Sequence, residues 1–220
     1  MRRGLAVLCA LLGVAGAAFG QTTGGDAPPD PLVLQRRLAL VLRQASQLYE
    51  AGDYRGALQR LDDLQGNASQ DLSVYNLRGA ILTKLGDYNQ AQQLFREILT
   101  ADPSYFPAAF NLAELQYMQR DYASALAAFS NLRGRDPRNE LVRFKVFLCH
   151  LLLGQTDEAR GIAAGFIPAG STPAWYYAQA LIAKKNGDAR SADKHLEAAR
   201  EIYGKDGCKL FEESLVFANF

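Results

Sequence analysis

The chain has 220 residues, of which 49% are hydrophobic and 21% charged, and this excludes wholesale disorder. Its formal net charge is +1, from 24 Lys+Arg against 23 Asp+Glu, so no nucleic-acid partner is implied. Three cysteines and two histidines exclude a disulfide-dense scaffold and leave little material for a His-rich metal centre.

Residues 1–20 carry a three-part pattern. Met1-Arg2-Arg3 is a basic start, Gly4 to Phe19 hold no charge, and Ala18-Phe19-Gly20 puts small residues before Gln21. This predicts a cleaved secretory signal peptide. The stretch is short and diluted by glycine, against the run of about 20 apolar residues that a spanning helix needs, so no membrane span is expected after cleavage. Cys9 lies too early for a lipid attachment site. The protein is expected outside the cytoplasm, periplasmic or secreted. Residues 21–31, QTTGGDAPPDP, read as a flexible leader.

Beyond the leader the chain repeats. Gly52-Asp53-Tyr54 leads to Ala57, Gly86-Asp87-Tyr88 to Ala91, and Arg120-Asp121-Tyr122 to Ala125. Gly154-Gln155-Thr156 then leads to Ala159 and Gly187-Asp188-Ala189 to Ala192. The alanines are 34, 34, 34 and 33 residues apart. A constant period of this length marks stacked repeats rather than a single-core globule. With the alanine as position 20, repeats one to five start at Leu38, Leu72, Phe106, Glu140 and Pro173. Each reads as two helices. The glycine at position 15 ends the first helix in a left-handed conformation, and the aspartate at position 16 caps the second. Asp102-Pro103 and Asp136-Pro137 end second helices.

These positions resemble the tetratricopeptide repeat family. The small residue at position 8 is present as Ala45, Gly79, Ala113 and Ala180, and missed by Phe147. Position 24 is Leu61, Phe95, Phe129, Ala163 and Leu196, and the family proline at position 32 is met by Pro103 and Pro137. Repeat four is degenerate, with Gly161, Ala163 and Gly165 weakening its second helix. The expected fold is all-α: a right-handed superhelical solenoid of about five helix-turn-helix repeats with a C-terminal capping helix. The repeat domain is expected over residues 32–206 and the capping tail over 207–220.

Little in the chain points to catalysis. Cys149 and His150 are adjacent on a helix and point about 100° apart, so they cannot work as a nucleophile–base pair. No metal-ligand spacing, phosphate-binding glycine loop or nucleophile elbow appears, so no catalytic residue, metal or cofactor is assigned. A Cys149–Cys208 disulfide is left open for an exported chain. Asn67-Ala68-Ser69 is a glycosylation sequon, relevant only in a eukaryotic secretory pathway.

The resemblance implies a concave groove lined by positions 2, 5, 9, 12 and 13 of the first helices, binding a peptide or a partner helix. The lining residues singled out are Tyr49, Asn76, Phe110, Glu114, Tyr117, Phe144, Leu148, Leu151, Tyr177 and Leu181. The half from Phe110 onward is apolar and aromatic. Asn111 and Lys145 match part of the family's clamp for a terminal carboxylate, and the other clamp positions do not. The expected function is a non-catalytic protein-interaction scaffold with a protein or peptide partner. One alternative is a structural subunit whose groove is sealed by its own tail, with Phe211, Leu215 and Phe217 folding over it, or by a second copy. The weaker alternative is an accessory subunit of an envelope enzyme.

Overall fold

The computed structural model describes residues 30–64 and 70–218. The expected signal peptide, residues 21–29 of the expected leader and the sequon lie outside the described residues. Among the described residues there are ten helices and no strand, as the all-α repeat reading expects. The helices are α1 (Pro31–Glu50), α2 (Tyr54–Asp62), α3 (Leu72–Leu85), α4 (Tyr88–Ala101), α5 (Phe106–Met118), α6 (Tyr122–Arg135), α7 (Glu140–Leu152), α8 (Thr156–Ala163), α9 (Ala174–Lys185) and α10 (Ala189–Ala218). They form two compact bodies, divided after Ala108 in the first turn of α5.

The N-terminal body is built on α1–α4. α1 starts upstream of Leu38, because Asp30 accepts a hydrogen bond from the Leu32 amide at 2.9 Å and Pro31 stands where a helix needs no N–H. Its core joins Val41, Ala45, Ala57, Leu61, Val74, Leu77 and Ile81. The helix pairs touch at the small positions: Ala45, Ala57 and Ala91 are fully buried. At Gly79 a side chain would have no room, since a Cβ there would fall 2.6 Å from Cε1 of Phe95.

The turn inside each repeat is left-handed. Gly52 and Gly86 have φ of +83° and +85°. Repeat three holds Arg120 in the same place at φ +64°, a conformation that costs a side-chain-bearing residue about 1–2 kcal/mol. Asp53, Asp121 and Asp188 cap the helices that follow by accepting from the amides of Gly56, Ser124 and Ser191. Asp87 departs from the expected pattern. It makes no side-chain bond to its helix backbone and takes one from Gln90 Nε2 at 2.6 Å.

The C-terminal body runs from Ala109 through α10. Repeat four keeps its helix pair with the sizes used elsewhere reversed: Phe147 stands at the small position and Ala163 at the large one, and both are buried. α8 stops early, and the following loop is tied down instead. Arg143 donates to the Gly165 carbonyl at 2.8 Å and lies over the Phe166 ring, Thr172 donates to Glu140 at 2.6 Å, and Tyr203 to the Gly170 carbonyl at 3.0 Å. α10 is two helical segments joined at Gly204, whose φ of 68° and ψ of 176° are non-helical.

Candidate interaction face

The first helices of repeats three to five, α5, α7 and α9, present a common face in the C-terminal body. The helical period places Tyr117, Phe144, Leu148, Leu151, Tyr177 and Leu181 on it, and all six are buried. The last segment of α10 lies against Tyr117, Phe144 and Tyr177 of this face. Phe211 packs against two aromatic rings that also touch each other: its centroid is 4.9 Å from that of Phe144 and 5.6 Å from that of Tyr177, and those two are 6.3 Å apart edge-on. Tyr117 Oη donates to the Ser214 carbonyl at 2.9 Å, and Tyr177 Oη to Glu212 Oε1 at 3.2 Å. Arg200 Nε also donates to Glu212 Oε1, at 2.9 Å.

The inward stripe of the tail is Cys208, Phe211, Ser214 and Ala218, all buried. The sequence reading favoured the larger residues Phe211, Leu215 and Phe217. Of these, Phe211 is buried, Leu215 is half-buried, and the Phe217 side chain lies outside the described residues, while neighbouring Val216 is 71% exposed. The small residues bring the two backbones close, which is why a phenol reaches a main-chain carbonyl. Their spacing of three to four residues is the signal the sequence carries for this stripe, masked by the larger apolar side chains beside it.

A partly buried ion pair underlies the same face. Lys145 Nζ is 2.8 Å from Glu114 Oε2 and 2.7 Å from its Oε1, and it lies 4.9 Å from the centre of the Tyr117 ring. Lys145 is 2% exposed. Its charge is therefore engaged within the fold. Burial, with the Glu114 carboxylate adding to it, pushes the Tyr117 phenol up. Burial likewise raises the Tyr177 phenol, helped by Cys208 and Glu212. Both phenols remain protonated hydrogen-bond donors at any physiological pH.

The remaining residues singled out have local surroundings of their own. Phe110 is half-buried, with its ring 5.6 Å edge-on to Phe129 of its own repeat. In the N-terminal body, Asn76 is 6% exposed on α3, and Tyr49 on α1 packs its ring 5.5 Å from Tyr54. Cys149 and Cys208 are both buried free thiols, so the disulfide left open by the sequence is not formed. His150 Nδ1 contacts Gln155 Oε1 at 2.7 Å. Among the described residues no group of three or more His, Cys, Asp or Glu side chains gathers as metal ligands. No helix among them is long and apolar enough to cross a membrane.

Two tetratricopeptide repeat family models match the chain, one over residues 42–106 and the other over residues 82–143. Tetratricopeptide repeat protein 28 of Homo sapiens is 28% identical over 123 residues, which are 55% of this chain and only 5% of that protein. Among solved structures, TTC0263, a thermophilic tetratricopeptide repeat protein of Thermus thermophilus, is 23% identical with a TM-score of 0.65. The match covers 83% of this chain and 100% of that one. MamA of AMB-1 is 22% identical with a TM-score of 0.52, covering 76% of this chain and 98% of that one. Tetratricopeptide repeats are thus found across residues 42–143, and the fold of this chain is that of the helical-repeat proteins.

Proposed function

We propose that this chain is a non-catalytic interaction scaffold that binds a partner helix or peptide on the first-helix faces of its repeats, in an exported setting. The observation that carries the reading is the seated tail. The α5/α7/α9 face holds an amphipathic helix by an aromatic anchor at Phe211 and by phenol donors from Tyr117 and Tyr177. This is the chemistry of helix-in-groove recognition, with apolar anchors at helical spacing. The matches to tetratricopeptide repeats support a protein partner, as such repeats typically bind proteins.

A second reading is favoured by the depth of the same contact. Phe211 is 4% exposed, the burial of a structural seal. One experiment separates the two. In the full chain, Phe211→Asp unseats the tail by placing a charge among aromatic rings, and a labelled synthetic peptide of residues 204–220 serves as the probe in fluorescence anisotropy. On the scaffold reading the variant stays folded and binds the peptide, and a peptide that itself carries Phe211→Asp does not bind. Loss of helical structure in the variant, or no binding by a folded variant, supports a permanent seal and overturns the scaffold reading for this face.

The three-part pattern of residues 1–20 supports export. N-terminal sequencing of the native protein should then begin at or near Gln21. A retained Met1 would remove the exported assignment.

A further inference from the structure

We propose that the segment after Gly204 exchanges between two copies of this chain, each copy's residues 205–218 occupying the α5/α7/α9 face of the other. The inference rests on reading that face as a helix-binding site and names its occupant: the tail of a second copy.

The hinge is a single residue. Within the otherwise helical run Ala189–Ala218, Gly204 alone is non-helical, with φ 68° and ψ 176°. Essentially only glycine adopts that region. Space is not the reason for glycine here, because a Cβ built on Gly204 meets nothing within 4 Å. The backbone conformation is the reason, and the tail's seat depends on it. If Gly204 takes helical angles, residues 189–218 become one rod about 45 Å long. Phe211, Ser214 and Ala218 then leave their own face together.

The rod exposes a helix whose complementary surface exists already, on a second copy. There Phe211 packs again against the rings of Phe144 and Tyr177, the Ser214 carbonyl accepts from Tyr117, and Glu212 meets Tyr177 and Arg200. Every contact broken within a chain is re-formed between chains. Exchange of an identical element about a hinge gives a closed dimer of this kind. The side chains flanking the hinge fit the same picture. Ile202 is 52% exposed and Val216 71% exposed in the folded-back state. On a straight helix, fourteen residues bring them within about 40° of the same side, giving the two rods an apolar strip to share.

Gly204→Ala tests this in the full chain. Alanine disfavours the kink and favours the rod by about tenfold per chain, and a dimer opens two hinges, so the association constant should rise by about a hundredfold. Light scattering on a sizing column should show a Gly204→Ala dimer at concentrations where the parent is monomeric. Adding Phe211→Asp to that variant should return it to a monomer. A folded Gly204→Ala chain that stays monomeric overturns the exchange. A dimer that survives Phe211→Asp also overturns it. Should Gly204→Ala fail to fold, the unmodified chain is followed with rising concentration. Dimer formation that Phe211→Asp abolishes supports exchange, and a strictly monomeric chain overturns it. Peptide binding by the Phe211→Asp chain together with a monomeric Gly204→Ala chain leaves the scaffold reading standing and removes the exchange alone.

Discussion

Gly79→Ala should destabilise this protein although it improves the helix. Gly79 lies inside α3, where alanine is better than glycine by about 1 kcal/mol. Three of the other four repeats hold alanine at the equivalent position, as Ala45, Ala113 and Ala180, so the sequence pattern favours the change. The packing opposes it. The new Cβ would stand 2.6 Å from Cε1 and 2.8 Å from Cζ of Phe95, a ring that is fully buried and has no open side to swing into. Overpacking of this kind costs about 1–3 kcal/mol, which outweighs the helical gain and leaves a net loss of about 1 kcal/mol. In a chain of this size that lowers Tm by about 2–4 °C. Phe95→Leu removes the ring edge. It destabilises on its own through lost packing, but in that background Gly79→Ala should stabilise by about 1 kcal/mol. The coupling in the double-mutant cycle is then about 2 kcal/mol. Urea titrations of the four chains, followed by circular dichroism at 222 nm, measure it. If Gly79→Ala stabilises both backgrounds equally, the ring is not where the structure puts it, and the pairing of α3 with α4 is wrong.

Arg120→Gly should stabilise the chain by about 0.5–1 kcal/mol, because glycine removes the left-handed strain at φ +64° and gives back part of it as chain entropy, read as a rise in Tm. The Asp121 and Asp188 carboxyls are held below the usual carboxylate value, first by side-chain and then by backbone hydrogen bonds of Ser124 and Ser191. A depressed folded value stabilises the chain above the unfolded carboxylate pKa, about 3.9, and that contribution is lost as pH falls through the folded value. Replacing both with asparagine, which caps as well and does not titrate, should leave melting near neutral pH unchanged and flatten its fall below about pH 4; an unchanged acid limb would refute the assignment. Burial pushes the Cys149 thiol up to about 12 and raises that of Cys208 as well, so iodoacetamide at pH 8 should modify neither in the closed protein. Cys208 should be labelled first as the tail opens, and equal rates for the two would show that the tail does not open ahead of the body.

The repeat architecture was legible in the sequence because its determinants are local. Glycine at position 15 sets a left-handed turn, aspartate at position 16 a cap, and the alanine every 34 residues a helix–helix contact, and each acts within a few residues of itself. The start of α1 and the idle cap at Asp87 were local too, but they turned on which of several neighbouring donors and acceptors met, and the sequence leaves that choice open. The size inversion of Phe147 and Ala163 looked like degeneration when each position was read alone. Both residues are nonetheless buried in the paired helices, because packing constrains the sum of volumes rather than either residue.

The face of α5, α7 and α9 shows where the sequence ends. Helical periodicity set Tyr117, Phe144, Leu148, Leu151, Tyr177 and Leu181 on one side, and their apolar character showed that something must cover them. What covers them was decided by tertiary structure alone. Either capping the last repeat or lying on this face would bury the tail's apolar side chains, so the apolar pattern alone does not name the arrangement. The backbone angles of Gly204, the Tyr117 bond to the Ser214 carbonyl and the inward stripe of small residues do. The Tyr117 bond joins residues 97 positions apart, and no local rule carries it; the Gly204 angles and the spacing of the stripe are local, but which surface they serve is set only by that long-range contact.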